Sequence, residues 1–216
     1  MARKKLQRFA DLAEMPHVFE ETADIQGQWQ KEFGNTNPII LELGCGKGEY
    51  TVELAATDPT SNYIGMDKKG ERIWVGAMQA SGHSLPNVRF LRGNARLIED
   101  DFAENELSEI WLTHPGPFPK ESQVHKRLTH PNYIKKYASL LKENGLLHLK
   151  TDNTELFRYS IDVLKSISFQ LEEVCHNIDE REDDQWTDVL CIQTAFEKKH
   201  RALGDTIHYL RARNTV

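Results

Sequence analysis

Three glycines separated by single residues, Gly44, Gly46 and Gly48, follow directly after the apolar run 39–43. A helical pattern begins at Tyr50, so the segment predicts a strand, a tight turn and the N-terminus of a helix. Glycine adopts positive φ and has no Cβ to obstruct a ligand, and the first turn of a helix offers unbonded N–H groups. The segment is therefore a candidate binding site for a small ligand; the alternative is that the glycines only make a tight turn.

The residues around the glycines indicate which ligand the turn binds. A dinucleotide site has the spacing G-x-G-x-x-G, whereas the third glycine here comes one residue earlier. Glu42, inside the strand, disfavours a pyrophosphate but suits a ligand with a cationic centre and an amino group. A second predicted strand, 62–67, ends at Asp67, whose carboxylate could accept hydrogen bonds from two ribose hydroxyls. The pattern resembles the S-adenosylmethionine (SAM) site of Rossmann-like methyltransferases, and an NAD-dependent enzyme is the less favoured alternative.

Alternating strand and helix patterns place this turn at the start of an α/β fold. The predicted strands are 39–43, 62–67, 88–91, 109–113 and 146–150, and the predicted helices are 51–56, 68–79, 98–102, 133–141 and 155–167. Asn144-Gly145 is expected to cap the fourth of these helices, and two further strands, 169–175 and 189–196, follow without a helix between them. Repeated βα units predict a parallel sheet with helices on both faces. The expected fold is Rossmann-like, with a mostly parallel seven-stranded sheet and an antiparallel C-terminal hairpin.

Ligands of an open α/β sheet bind at the carboxyl ends of its strands. The residues at these predicted ends are Glu42, Gly44, Gly46, Asp67, Asn94, Ala95, His114, Lys150, Thr151 and Asp152. Asn94 and Ala95 are suitably placed for the edge of an adenine. Each residue taken alone has a structural explanation, since Asn94 or Asp152 could merely cap a helix. Their expected convergence on one edge is what favours a binding site.

The segment 119–136 carries the densest positive charge in a chain whose net charge is -6. Its cations are Lys120, Lys126, Arg127, Lys135 and Lys136, opposed by Glu121, with His125 and His130 between them. Clusters of this kind bind phosphate and supply affinity for nucleic acids. Beside a methyl-donor site, the segment favours RNA as the partner; a solvated loop is the alternative. Neither His114 nor His130 has the paired spacing of metal ligands, so we assign no metal.

Composition sets further expectations. The chain has 216 residues, of which 39% are hydrophobic and 28% charged, as in a globular domain with a sizeable core. No apolar run approaches the length of about 18 residues that a membrane-spanning helix needs. The N-terminus lacks the apolar segment of a signal peptide. The 3 cysteines do not have the spacing of metal ligands. We therefore expect a cytoplasmic protein with free thiols and no membrane association. Residues 1–37 are expected to form an N-terminal arm and lead-in helix, and residues 38–216 the methyltransferase domain.

Two charged segments outside this site have open interpretations. Residues 1–12 contain Arg3, Lys4, Lys5 and Arg8. They form either a solvated terminus or an arm that touches phosphate. The acidic run 179–188 is either a solvated loop or a segment that orients RNA by repulsion.

Over nearly its whole length, the chain resembles the bacterial tRNA (guanine-N7)-methyltransferases. The motifs that carry the resemblance are LELGCGKGEY at 41–50, YIGMD at 63–67, EIWLT at 109–113, KRLT at 126–129, HLKTDN at 148–153 and TAFE at 194–197. G-x-G-x-G alone is common to many methyltransferases, but the last three motifs together are much more specific. The resemblance implies SAM as the methyl donor and tRNA as the acceptor, with methylation at N7 of the guanine at position 46 in the variable loop.

The resemblance also implies roles for individual residues. The SAM-binding motifs are matched by Glu42, Gly44, Gly46, Asp67, Asn94 and Ala95. The substrate-binding positions are matched by His114, Lys120, Lys126, Arg127, Asp152, Thr194 and Glu197, of which Asp152 and Glu197 are the expected catalytic residues. A methyltransferase acting on a small molecule is an alternative that the basic segment disfavours. The chain is expected to act as a monomer or a homodimer.

One position departs from the family pattern. The family carries aromatic-Pro-Asp-Pro after the fourth strand, and this chain has His114-Pro115-Gly116-Pro117 there. N7 of guanine already has an in-plane lone pair, so no proton has to leave, and the enzyme mainly has to hold donor and acceptor in line. Our hypothesis is that Gly116 weakens catalysis and leaves SAM binding intact, because Asp152 and Glu197 could still hold part of the guanine edge. The alternative is a catalytically impaired relative that binds SAM or tRNA.

Overall fold

The computed structural model describes residues 2–20, 24–167, 169–181 and 187–215, without the side chains of residues 2–6 and 187. The chain folds into two units, Met1–Ala103 and Glu104–Val216. None of the helices in the described ranges has both the length and the apolar composition needed to cross a membrane. A domain boundary between residues 37 and 38 stays a prediction.

The first unit contains a parallel sheet with helices packed on it. Its elements are α1 (Ala2–Ala13), β1 (Val18–Glu20), α2 (Trp29–Phe33), β2 (Ile39–Leu43), α3 (Glu49–Thr57), β3 (Asn62–Asp67), α4 (Gly70–Gly82), β4 (Val88–Arg92) and α5 (Ile98–Asp101), with a 3-10 turn at Ala95–Leu97. The strands lie in the order β1-β4-β3-β2 and pair in parallel. Leu43 lies beside Met66, and Asp67 beside Arg92. The carboxyl ends of β2, β3 and β4 therefore meet at one edge.

The strand β2 lies in the core of the first unit. Every residue of β2 is buried, as expected for a strand of a parallel sheet covered on both faces. Trp29 is fully buried, stacks on Phe102 with ring centroids 5.5 Å apart, and donates its Nε1–H to the carbonyl of Asp101 at 3.0 Å. This contact anchors the chain ahead of β2.

The helix α1 packs against α4. Leu12 is buried, Trp74 donates its Nε1–H to Asp11 at 3.0 Å, and the Arg8 guanidinium lies 4.6 Å from the centre of the Trp74 ring. From residue 7 onward, the N-terminal segment is therefore a packed helix and not a solvated tail. The side chains of residues 3–5, which include the other predicted phosphate contacts, lie outside the described residues.

The second unit contains a mixed sheet. Its elements are β5 (Leu107–Thr113), α6 (Pro131–Leu140), β6 (Leu141–Thr151), α7 (Thr154–Lys165), β7 (Phe169–Cys175), α8 (Thr187–Leu190), α9 (Ala195–Ala202) and β8 (His208–Asn214), with 3-10 segments at Glu121–Lys126 and Ile178–Glu180. The order is β5-β6-β8-β7, with β5 parallel to β6 and with β8 antiparallel to β6 and β7. Thr113 lies beside Lys150, so the residues that follow β5 and β6 emerge at the same edge.

The α/β fold with mostly parallel strands and antiparallel C-terminal strands is confirmed, with three differences. The described residues contain 8 strands and not seven, because β1 pairs with β4. The strand predicted at 189–196 is wrong, since this segment contains the end of α8 and the start of α9, and the partner of β7 is β8. The cap predicted at Asn144-Gly145 is also wrong: β6 begins directly after α6, and both residues lie where β6 leaves the register of β5. Of the acidic run, residues 182–186 lie outside the described residues.

Candidate active-site residues

The glycine turn at the end of β2 adopts the conformation that its spacing predicts. Gly44, Gly46 and Gly48 have φ of +82°, +58° and +69°, a region that favours glycine. A Cβ at Gly48 would also lie 2.5 Å from Cε1 of Phe90, so a larger residue does not fit there. The N–H of Gly44 donates to the carbonyl of Met66 at 2.7 Å, which ties the turn to the end of β3.

Glu42 supports this turn from the interior of the first unit. Its side chain is buried, and Oε2 accepts hydrogen bonds from the backbone N–H of Thr51, at 2.9 Å, and from the Thr51 hydroxyl. Thr51 lies in the first turn of α3, where backbone N–H groups lack helical partners. The carboxylate therefore holds the N-terminus of α3 beside the turn, and a direct contact with SAM stays a prediction.

Asp67 and Asn94 stand at the ends of the neighbouring strands β3 and β4. Asp67 accepts hydrogen bonds from the backbone N–H of Gly46 at 3.1 Å and of Lys69 at 2.9 Å. The Asn94 side chain accepts from the N–H of Arg96 at 3.2 Å and so caps the 3-10 turn that follows. The first unit thus brings together its predicted SAM-binding residues, Glu42, Gly44, Gly46, Asp67, Asn94 and Ala95, at the ends of adjacent strands.

In the second unit, His114 bridges two carboxylates. Its Nδ1 is 3.0 Å from Oδ1 of Asp152, and its Nε2 is 3.1 Å from Oε2 of Glu197. His114 follows β5, has φ of +45° and donates its backbone N–H to the carbonyl of Lys150 at 2.7 Å. Residues from β5, β6 and α9 therefore meet at this ring, although the two carboxylates are 38 and 83 residues further along the chain.

Lys150 anchors Glu197 and the segment before it. The fully buried Nζ of Lys150 lies 2.8 Å from Oε2 of Glu197 and donates to the carbonyls of Leu190 and Ile192, both at 2.8 Å. Burial lowers the pKa of Lys150 despite the opposing charge of Glu197. Three acceptors nevertheless require three N–H groups, so the group is an ammonium.

Asp152 and Glu197 differ in accessibility. The Glu197 side chain is 0% exposed, and its Oε1 accepts from Nε of Arg201 at 2.9 Å. The Asp152 side chain is 18% exposed, and its Oδ2 lies 3.3 Å from Nδ1 of His200. Burial acts to raise the pKa of each carboxyl group, but the hydrogen bond from His114 and nearby positive charge outweigh it and bring each pKa below its usual value. Asp152 is therefore an ionised carboxylate that a ligand can reach, whereas Glu197 holds the groups around it.

Arg127, which was predicted to bind phosphate at the surface, is buried instead. The residue is 3% exposed. Its Nε donates to the carbonyl of Pro117 at 2.8 Å, and its Nη2 donates to the carbonyl of Phe118 at 3.2 Å and pairs with Glu155 at 2.6 Å. Phe118 has φ of +41°, an unfavourable conformation for a large residue that the surroundings must stabilise. Arg127 thus holds the loop that follows His114.

The remaining predicted substrate-binding residues lie at the surface or cap a helix. Lys120 is exposed and Lys126 is partly exposed, before and within the 3-10 segment. Thr194 is the N-cap of α9, and its hydroxyl accepts from the N–H of Glu197 at 3.1 Å. Thr-x-x-Glu is the sequence signature of a capping box. This signal predicts a helix start at Thr194 and explains why a strand over 189–196 does not form.

Three side chains of α9 near His114 were missed in the sequence analysis. Phe196 stacks on His200 with ring centroids 4.1 Å apart, and its ring lies 5.2 Å from that of His114. Arg201 pairs with Glu197 one helical turn away. Residues three and four apart share a helix face, so a helix beginning after Thr194 would have grouped His200 and Arg201 with the predicted Glu197.

Comparison with known proteins identifies the family. Residues 36–210 match the family model described as "putative methyltransferase". The tRNA (guanine-N(7)-)-methyltransferase of Bacteroides thetaiotaomicron is 40% identical, over 99% of this chain and 86% of that protein. The chain belongs to the tRNA (guanine-N7)-methyltransferase family. The Christiangramia forsetii member is 40% identical over 97% of both chains, and that of Listeria monocytogenes serotype 4a is 35% identical over 94% and 92%.

Solved structures confirm the Rossmann-like methyltransferase fold of this family member. The 16S rRNA methyltransferase KamB has a TM-score of 0.67 at 12% identity, over 88% of this chain and 94% of that one. A variant of the 16S rRNA (adenine(1408)-N(1))-methyltransferase of Catenulisporales acidiphilia, solved with the cosubstrate SAM, has a TM-score of 0.59 at 14% identity, over 88% and 91%. Identities this low show a shared fold and nothing about substrate.

Gly116 is the position at which the sequence analysis found a departure from the pattern of the tRNA (guanine-N7)-methyltransferases. A Cβ at Gly116 would lie 2.9 Å from Cε2 of Phe118, so a larger residue requires this ring to move. The loop itself remains tied to Arg127 through the carbonyls of Pro117 and Phe118. None of the comparisons supports the alternative of a catalytically impaired relative.

Proposed function

We propose that this chain transfers the methyl group of SAM to N7 of a guanine in tRNA, at position 46 of the variable loop. The observation that supports the proposal is the 40% identity to a curated tRNA (guanine-N(7)-)-methyltransferase over 99% of the chain. For this reaction, the protein has to provide a binding site for a sulfonium donor and a group that fixes the guanine ring. Residues of the first unit suit the donor, and residues of the second unit suit the acceptor.

The donor site consists of the glycine turn and the residues at the ends of β3 and β4. Two backbone N–H groups orient the Asp67 carboxylate, which retains lone pairs for the ribose hydroxyls. Asn94 and Ala95 hold the edge of the adenine. SAM supplies the methyl group on a positively charged sulfur, and the buried carboxylate of Glu42 favours a ligand with positive charge.

The acceptor site is centred on Asp152. Its carboxylate accepts hydrogen bonds from N1–H and the 2-amino group of guanine, which lie on a different edge of the purine from N7. The ring is thereby fixed while N7 stays open to the donor, and positioning of this kind can contribute several kcal/mol. Methylation at N7 makes the purine cationic, and the negative charge of Asp152 stabilises that charge as it develops.

Exposed lysines of the second unit bind the tRNA backbone. Lys120 and Lys135 are exposed, and Lys126 is partly exposed. Each phosphate that such a group neutralises contributes a slope of about 0.7 to 0.9 to the fall of log affinity with log salt. Replacement of Lys120 and Lys126 by Ala should therefore lower the salt slope by about 1 to 2. A slope that does not change would remove both residues from the RNA contact.

A methylation assay tests the proposed function. The protein is incubated with methyl-labelled SAM and an unmodified tRNA transcript, and the digested nucleosides are separated. We expect labelled 7-methylguanosine from a transcript with guanine at position 46 and none from a matched transcript with adenine there. Label at another guanine would contradict the position, and absence of label from a protein that binds SAM and tRNA would contradict the reaction.

Other properties stay predictions. The structure shows Cys45, Cys175 and Cys191 as free thiols, which suits a reducing compartment and a cytoplasmic location. Metal analysis of the purified protein and activity in the presence of a chelator would test whether a metal is needed. Light scattering would distinguish the monomer from the homodimer.

A further inference from the structure

The His114 ring lies between two carboxylates, and this arrangement indicates its protonation state. The two ring nitrogens lie 3.0 Å and 3.1 Å from carboxylate oxygens of Asp152 and Glu197, and the side chain is 5% exposed. Ionised carboxylates only accept hydrogen bonds, so each ring nitrogen has to donate a proton. A neutral imidazole would instead direct a lone pair at one of the two carboxylates. The geometry therefore requires an imidazolium.

The surroundings of the bridge support this charge assignment. Glu197 is also paired with Lys150 at 2.8 Å and with Arg201 at 2.9 Å, which keeps it ionised. Burial acts to lower the pKa of His114, but the hydrogen bonds and charges of Asp152 and Glu197 outweigh it and raise that pKa above its ordinary value. The bridge thus connects an accessible carboxylate, Asp152, to a buried carboxylate whose position three cations fix.

We propose that His114 is a positioning residue for methyl transfer: its imidazolium fastens the Asp152 carboxylate to the buried Glu197 and so orients Asp152 for the guanine edge. The inference rests on the proposed function, because Asp152 is the group that holds guanine there. His114 itself is 5% exposed on its side chain and acts through Asp152. The other oxygen of Asp152 lies 3.3 Å from Nδ1 of His200, but that ring is partly exposed and lies closer to Asp205, at 2.8 Å, so the buried anchor of Asp152 is the bridge to Glu197.

Protonation of His114 then links pH to turnover. The titratable and charged groups around the ring are Asp152 after β6, Lys150 in β6, and Glu197, His200 and Arg201 in α9. His200 is in turn paired with Asp205, and Arg201 with Asp179. Because the folded pKa of His114 is raised, the bridge is complete below the ordinary histidine pKa of about 6.5 and is lost as pH rises through the folded pKa. Loss of either proton releases one carboxylate, so kcat should fall on the alkaline side.

The test compares the wild-type protein with His114→Phe and His114→Gln. We measure kcat, and KM for SAM and for tRNA, from about pH 6 to pH 8.5, the range in which histidine titrates. His114→Phe should lower kcat about 100-fold, the effect of a misplacement of about 1 Å, and should abolish the alkaline fall, while KM for SAM stays unchanged. His114→Gln should be intermediate, because its single amide nitrogen replaces only one of the two ring nitrogens that face the carboxylates. The matched control is His83→Gln, on an exposed residue of the first unit.

Three results would overturn the inference. The first is a His114→Phe protein whose kcat stays within about twofold of wild type, where we expect a loss of about 100-fold. The second is a His114→Phe protein whose kcat still falls at alkaline pH as that of the wild type does. The third is measured on the wild-type protein alone, in case the variants do not fold. We expect NMR of labelled histidine to show His114 protonated on both nitrogens at neutral pH, and a single neutral tautomer would exclude the bridge. If wild type forms no 7-methylguanosine at any pH, the proposed function fails, and the NMR result still decides whether the bridge exists.

Discussion

Replacement of Lys150 by Met tests whether the second unit depends on a buried charge. The methionine side chain has nearly the same length and keeps the apolar contacts of the lysine stem, but it removes the ammonium. The carbonyls of Leu190 and Ile192 then lose a donor at 2.8 Å, and Glu197 loses a cation at 2.8 Å while it remains buried. The substitution therefore isolates the polar role of Lys150.

The size of the effect follows from these three contacts. Removing one partner of a buried ion pair costs about 3 to 5 kcal/mol, because the other charge is left uncompensated. Glu197 keeps His114 and Arg201, which reduces this cost, whereas the two carbonyls add about 1 kcal/mol each. We expect the free energy of unfolding to fall by about 4 kcal/mol in total. For a chain of this size, that corresponds to a fall in Tm of about 8 to 16 °C.

Urea unfolding followed by circular dichroism would measure this change, together with the melting temperature. The matched control is Lys142→Met in the same strand, at a partly exposed position, where we expect a change within about 0.5 kcal/mol. Equal stability of the Lys150→Met and Lys142→Met proteins would refute the conclusion that Lys150 is a buried, protonated anchor. Glu197→Gln and the double variant complete a cycle that separates the Lys150–Glu197 coupling from the effect on the carbonyls.

Other contacts lead to further predictions. Asp67→Asn should weaken SAM binding about tenfold by calorimetry, since an amide accepts weaker hydrogen bonds from ribose hydroxyls than a carboxylate; affinity within about twofold of wild type would contradict the ribose contact. Arg127→Lys should lower both kcat and the free energy of unfolding, the latter by about 1 to 3 kcal/mol, because lysine lacks the planar fork that reaches both loop carbonyls. Unchanged kcat would show that the loop needs no such support. Gly116→Asp should raise kcat with unchanged SAM affinity, with Gly116→Asn as the uncharged control; equal turnover of both variants and wild type would show that a second carboxylate adds nothing.

The strand-turn-helix at residues 39–56 illustrates how far the sequence analysis could reach. The apolar run and the glycine spacing are local, and backbone sterics give them one interpretation, which the positive φ of Gly44, Gly46 and Gly48 confirms. The segment 189–196 shows the limit. Its apolar residues fit a strand as well as a buried turn of helix, and the choice depended on the cap at Thr194 and on β8, which pairs with β7 in the place assigned to that segment.

The sequence by itself determined the α/β fold, the family and most of the residues that the structure brings to the strand ends, because motifs and hydrophobic periodicity are properties of neighbouring residues. Only the tertiary structure decided what those residues do. It turned Arg127 inward to hold a loop, buried Glu197 against Lys150 and placed His114 between carboxylates 38 and 83 residues away. Charge, burial and pairing depend on which distant side chains surround a group, and no spacing along the chain specifies that.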